Sequence, residues 1–147
     1  MKRKAWDTYF LEIARIVSTR STCTRKKVGA VIIDPKTKAI LSTGYNGSLP
    51  GAEHCIDTSC HVVDNHCIRT IHAETNAINH AAKSGSNLSN CAIYCTTQPC
   101  WNCFKNIIQA GITEIYFNEL YLNLNDHILY KKYLEDNRNI IYKRVPL

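Results

Sequence analysis

Two short segments carry side chains able to hold and use a metal ion: His72-Ala73-Glu74 and Pro99-Cys100-Trp101-Asn102-Cys103. Cys100 and Cys103 are three apart at the expected start of a helix, so their sulfurs can face one point. The unpaired N–H groups of a helix N-terminus favour thiolate over thiol. His72 opens another helix and can bring an imidazole to the same ion. A catalytic zinc takes three protein ligands and leaves a further position for water, whose pKa then falls to about 7. Glu74 is too near His72 in sequence to be an obvious fourth ligand. It is near enough to reach that water as a general acid–base. The chemistry implied is zinc-assisted hydrolysis. A lone C-x-x-C could equally be a redox pair or half of a structural zinc site, and a lone H-x-E is common. Together, with Pro99 before Cys100 and each segment opening a helix, they point to a single catalytic zinc at His72, Cys100 and Cys103 with Glu74 beside it.

These residues need elements to carry them. Trp6, Tyr9, Phe10, Ile13, Ile16 and Val17 recur at helical spacing, which predicts an amphipathic helix ending near Arg20. The apolar run Val28 to Ile33, closed by Asp34-Pro35, predicts a buried strand and a turn. Ala39 to Gly44 is its expected hairpin partner. A helical pattern runs from Ile71 to Ala82 and stops at Gly85. Strands are expected at Cys91–Cys95, Ile112–Phe117 and Ile140–Tyr142, with helices at Cys100–Ala110 and 126–137. Alternating strands and helices imply one α/β layered domain over 1–147. Residues 46–70 show little periodicity. A structureless loop of that length in a compact domain is uncommon, so something other than an apolar core should pin it.

The chain has 147 residues, 45% hydrophobic and 20% charged. Those values suit one globular domain rather than a disordered or fibrous chain. No run of about 18 apolar residues is present, which excludes a helical membrane span. Met1-Lys2-Arg3-Lys4 imitates the basic start of a secretory leader, but Asp7, Glu12 and Arg15 interrupt the apolar stretch beyond it. A cytoplasmic protein is the expectation, with reduced thiols. Its eight cysteines at short spacings then read as metal ligands before disulfides. The formal charge of +6 permits a polyanionic partner without demanding one. Arg20, Arg25, Lys26 and Lys27 cluster, and a small phosphorylated ligand needs only two or three such groups.

H-x-E followed by P-C-x-x-C is the mark of zinc deaminases acting on nucleobases. Over roughly residues 5–121 the chain resembles the deoxycytidylate (dCMP) deaminases of the cytidine deaminase superfamily. The matching pieces are Ser21-Thr22-Cys23-Thr24-Arg25, Lys27-Val28-Gly29-Ala30-Val31, Gly44-Tyr45-Asn46-Gly47, His54-Cys55, the run His66 to Ile78, and Pro99 to Cys103. Gly-Tyr-Asn-Gly with the inserted cysteine-rich loop separates it from tRNA adenosine deaminases. One departure is Leu49-Pro50, where the family more often has proline directly after Gly47-Ser48; it bears on the loop and not on the zinc motifs. The resemblance implies a three-layer α/β/α cytidine-deaminase-like sandwich with a five-stranded mixed sheet, and hydrolysis of dCMP to dUMP with release of ammonia. It also implies a homohexamer, activation by dCTP and inhibition by dTTP, and Mg2+ carried by the triphosphate. That effector site would include Gly44, Tyr45, Asn46 and Gly47. Neither a membrane nor a nucleic-acid partner is expected.

The resemblance further assigns Arg25, Asn46, His66 and Tyr121 to the sugar and phosphate, and the small Ala73 to close backbone approach of the base. Arg25 could instead be an ordinary surface charge, His66 a metal ligand, and Tyr121 a packing residue. Cys23, Cys55, Cys60 and Cys67 lie in or near the loop that lacks a core. Four thiolates would form a closed structural zinc site that pins it, and some phage members of the family carry a second zinc here. His54 or His66 could replace one cysteine, or the thiols could be free and buried. Cys91 and Cys95 alternate with Ile93 and read as core. Two other functions stay in play: deamination of dCTP or another base, and a zinc-stapled nucleic-acid-binding module without catalysis.

Overall fold

A computed structural model describes residues 1–121 and 124–147. In chain order the elements are α1 (Trp6–Ser18), β1 (Gly29–Ile33), β2 (Ile40–Tyr45), β3 (Gly47–Ser48), β4 (Val62–Val63), β5 (His66–Cys67) and β6 (Thr70–Ile71). Then come α2 (Ala73–Lys83), β7 (Ala92–Thr97), α3 (Trp101–Gln109), β8 (Glu114–Glu119), α4 (Leu124–Asp136) and β9 (Ile141–Arg144). Five strands form one sheet in the order β2-β1-β7-β8-β9. The β1 hairpin with β2 and the β1–β7 pair are antiparallel, whereas β7–β8 and β8–β9 are parallel. The parallel half follows from α3 and α4, each a crossover between neighbouring strands.

Helices cover both sheet faces. Phe10, Leu11 and Ala14 of α1 pack on Val31, Ile33, Ala92 and Tyr94. On the opposite face Ala73, Ala77 and Ala81 of α2, Phe104 and Ile107 of α3, and Tyr130 of α4 pack on Ile32, Ile93, Cys95, Ile115 and Phe117. This is the expected three-layer α/β/α architecture with its five-stranded mixed sheet. Central strands β1 and β7 are buried along their whole length, which is why β1 reads as an unbroken apolar run. Cys91 and Cys95 lie in this core, as expected.

α2 lies hard against β2 because position 44 has no side chain. A Cβ on Gly44 would stand 2.4 Å from both the Ala73 carbonyl oxygen and the Ala77 nitrogen. Asn76 Nδ2 then donates to the Tyr45 carbonyl at 2.8 Å.

The expected loop at 46–70 contains two small ribbons. Gly47-Ser48 pairs with Thr70-Ile71, so the chain enters α2 at Ala73 and not at Ile71. Val62-Val63 pairs with His66-Cys67 around a two-residue turn, Asp64-Asn65. Both turn residues have positive φ, 49° and 63°, the geometry of a type I′ hairpin, which Asp and Asn tolerate.

Candidate active site

Both metal-type motifs sit where helices begin. His72 is the N-cap of α2 and Cys100 the N-cap of α3, each with extended backbone, and neither makes a side-chain cap. Their side chains are therefore left for other work. α3 begins just beyond the carboxyl end of β7, the side on which open α/β sheets bind ligands. His72 Nδ1 lies 3.6 Å from Cys100 Sγ and 3.3 Å from Cys103 Sγ, and the three donors lie within 4.8 Å of one another. One imidazole nitrogen and two sulfurs so gathered fit zinc. Thr75 Oγ1 lies 3.9 Å from Cys103 Sγ.

The electrostatics favour one thiolate, on Cys100, beside a Cys103 thiol that shares its proton with it. Hydrogen bonding from Cys103 and His72 holds the Cys100 thiol down at about 4 against its burial. Cys103 is pushed up by that neighbouring sulfur and by burial. The bond to Cys100 raises His72 against desolvation. Glu74, only 4% exposed, has its carboxyl raised, chiefly by burial. A carboxyl so raised is suited to take up a proton and return it.

A cavity of about 470 Å³ opens over these residues. Arg25, Asn46, His66, His72, Ala73, Glu74, Cys100 and Tyr121 all line it, and Cys103 lies beside them. Arg25 reaches the β4–β5 turn, where Nη1 donates to the Asn65 carbonyl at 3.1 Å and Nη2 to Asn65 Oδ1 at 3.4 Å. Asn46 is more structural than its expected role suggests. Its Oδ1 accepts from the Val28 backbone at 2.8 Å, and its Nδ2 donates to the Lys26 carbonyl at 2.7 Å. That anchors the segment bearing Arg25. Tyr121 is held by its backbone, whose N–H donates to Gln98 Oε1 at 3.1 Å. Gly44 and Tyr45 are not among the lining residues and serve the β2–α2 contact. Gly47 lies in the β3–β6 ribbon.

The cavity takes in Lys26 of the basic cluster and also residues that no sequence motif marks, Asn65, Thr97 and Gln98 among them. Thr97 and Gln98 immediately precede Pro99-Cys100, so reading outward from that motif reaches them. Asn65 needs the hairpin.

A second group forms in the cysteine-rich lobe. Cys55, Cys60 and Cys67 bring their sulfurs within 4.8 Å of one another, with Cys55 and Cys67 3.7 Å apart. Cys23 is not in this group, because its sulfur is turned to its own loop and accepts the Arg25 backbone N–H at 3.4 Å. Neither His54 nor His66 joins it. Burial pushes Cys67 up, but backbone N–H groups of Arg69, His61 and Thr70 outweigh it and bring the thiol to about 6. Cys55 is pushed up to about 12 by burial and its two sulfur neighbours. Three thiols so arranged suit a zinc ion as well.

Comparison with known proteins agrees with this geometry. The cytidine and deoxycytidylate deaminase zinc-binding region matches residues 4–119. ComE operon protein 2 of Bacillus subtilis is 46% identical over 121 residues, which are 82% of this chain and 63% of that protein. The deoxycytidylate deaminase of Saccharomyces cerevisiae is 32% identical over 127 residues, 82% of this chain and 40% of that one. The chain thus spans less than two thirds of the length of these two relatives. Among solved structures, the dCMP deaminase of cyanophage S-TIM5 in complex with dCMP and dUMP superposes with a TM-score of 0.80 at 27% identity, covering 99% of this chain and 100% of that one. The chain belongs to the cytidine and deoxycytidylate deaminase family.

Proposed function

We propose that this chain is a zinc-dependent dCMP deaminase, converting dCMP and water to dUMP and ammonia and so supplying dUMP for dTTP synthesis. The observation that carries the reading is the His72–Cys100–Cys103 donor set at the floor of a cavity that also holds buried Glu74 and the cations Arg25 and Lys26. The relatives named deoxycytidylate deaminase support the choice of substrate.

His72 Nδ1 and the sulfurs of Cys100 and Cys103 would hold the zinc. Bound there, zinc supplies the Lewis acidity that makes water nucleophilic at neutral pH. Glu74 takes one proton from the attacking water and delivers it to the ring nitrogen, then takes the second from the resulting hydroxyl and delivers it to the departing amine. Burial assists by keeping its protonated form within reach. Arg25 and Lys26 offer charge-assisted hydrogen bonds to the 5′-phosphate, while Asn46 fixes the segment that bears them. His66 and Tyr121 close the cavity around the sugar and phosphate. Ala73 lets the α2 backbone approach the base.

A second zinc on Cys55, Cys60 and Cys67 would pin the lobe that supplies Asn65 and His66. The family resemblance supports a cytoplasmic homohexamer, activated by dCTP and inhibited by dTTP with Mg2+ on the triphosphate, through the segment Gly44 to Gly47. Among the described residues no helix is long and apolar enough to cross a membrane.

The test is ammonia release from dCMP, dCTP, cytidine and guanine, each with and without added dCTP and dTTP. dCMP should be turned over fastest. Equal inactivity on all four, with salt-dependent DNA binding in its place, would overturn the reading.

A further inference from the structure

The peptide groups on either side of Cys100 are both held from α4. Trp101 N–H donates to Asp126 Oδ2 at 3.2 Å, and the Tyr130 hydroxyl donates to the Pro99 carbonyl. Asp126 and Tyr130 are four residues apart in one helix, so both side chains leave the same face of it. Pro99 and Trp101 are the immediate chain neighbours of Cys100. α4 thus grips the chain one residue before and one residue after a sulfur that stands 3.6 Å from His72 Nδ1.

α3 needs such a grip. The first N–H groups of a helix have no partner within it, and the N-cap side chain ordinarily takes one of them. The N-cap of α3 is Cys100, whose side chain makes no cap, and the first turn of α3 carries no acidic residue. Asp126 supplies an acceptor from another helix, and a carboxylate there suits the positive end of the α3 dipole. Tyr130 is anchored in turn. It is 3% exposed, and its ring stands 5.0 Å from that of Phe104 and 5.7 Å from that of Trp101. Packing alone would be served by phenylalanine at this position; the hydroxyl adds the bond to Pro99.

We propose that Asp126 and Tyr130 are positioning residues for the metal, clamping the backbone around Cys100 so that its sulfur is held where His72 and Cys103 can share an ion with it. The inference rests on the zinc assignment at His72, Cys100 and Cys103 made above, and not on the identity of the substrate. Groups that orient a metal ligand without touching the ion change metal affinity by about 10–100-fold when removed.

The experiment measures zinc affinity by competition with a chromogenic chelator, together with the melting temperature of the metal-free protein. Asp126→Ala, Asp126→Asn and Tyr130→Phe are compared in the full chain carrying Cys55→Ser and Cys67→Ser, so that only the His72 site takes up metal. Asp126→Ala and Tyr130→Phe should each weaken zinc binding about tenfold or more. Asp126→Asn keeps an oxygen for the Trp101 N–H and should bind zinc about as tightly as the parent. A lower melting temperature with unchanged zinc affinity in Asp126→Ala and Tyr130→Phe would make the contacts merely structural and overturn the proposal. Where Asp126→Ala fails to fold, Tyr130→Phe decides alone: unchanged affinity there overturns it. The zinc assignment fails separately, when the parent itself binds no zinc.

Discussion

The His72–Cys100–Cys103 trio and the Cys55–Cys60–Cys67 trio each draw three donor atoms to within 4.8 Å, yet the protein reaches those two arrangements by different routes. The first trio stands on the opening turns of α2 and α3, whose inner faces are buried against the sheet. Packing of Ala73, Ala77, Phe104 and Ile107 places those donors before any ion arrives. Of the second trio only Cys67 stands on a strand, the two-residue β5, while Cys55 lies in a turn and Cys60 in irregular chain. Apolar side chains around it face solvent, with Val62 50% and Ile68 60% exposed. Besides the sulfurs, hydrogen bonds hold it, among them Ile56 N–H to the Thr22 carbonyl at 3.2 Å and Arg25 to Asn65. A site rooted in a core is preorganised, whereas a site in a coreless lobe is organised by what it binds.

The comparison can be broken most sharply at Glu74. Glu74→Gln should lower dCMP turnover by at least about a thousandfold while zinc content and circular dichroism stay at wild-type values. Activity equal to wild type would remove the acid–base assignment. Next comes Gly44→Ala, which sets a methyl group into the α2 backbone. It should destabilise the protein by about 3 kcal/mol or more in urea unfolding, and a neutral result would show that α2 is not held where it has been placed.

The lobe should respond differently. Changing Cys55 and Cys67 together to serine should lower metal content from about two zinc ions per chain to about one. Limited proteolysis should then cut within 49–68 while the sheet's urea midpoint holds. A wild-type content near one ion would remove the second site. The smallest effect is expected at Gly51. A Cβ there meets nothing within 4 Å, but φ is +83°, so Gly51→Ala should cost only about 1 kcal/mol. A loss as large as that from Gly44→Ala would erase the contrast between the two regions.

Legibility in the sequence follows the same divide. α1 announces itself because its apolar residues repeat at the helical period, and β1 because it is an unbroken apolar run closed by Asp34-Pro35. Strand ends shift where pairing outruns the apolar pattern. β7 continues through Thr96 and Thr97 because Thr97 pairs with Glu119, a contact between distant residues. In the lobe, the Asp64-Asn65 turn is a readable signal, but strands of two residues leave no period to detect. Pairing of Gly47-Ser48 with Thr70-Ile71 takes the first residues of the expected second helix. The His72–Cys100–Cys103 trio can be anticipated because C-x-x-C at a helix start has a local geometry. Membership of the second trio cannot, since Cys23 is separated from Cys55 by a chain path that only the fold decides.

The bare backbone at position 44 has a bearing on how genetic data from this chain should be read. A screen for loss-of-activity variants would flag residue 44 as strongly as a catalytic group, although it touches neither ligand nor ion, because crowding it displaces the helix that bears the carboxylate. Since the same position lies in the stretch proposed above for effector control, altered responses to nucleotides in such variants would report a shifted helix unless an intact fold were shown first.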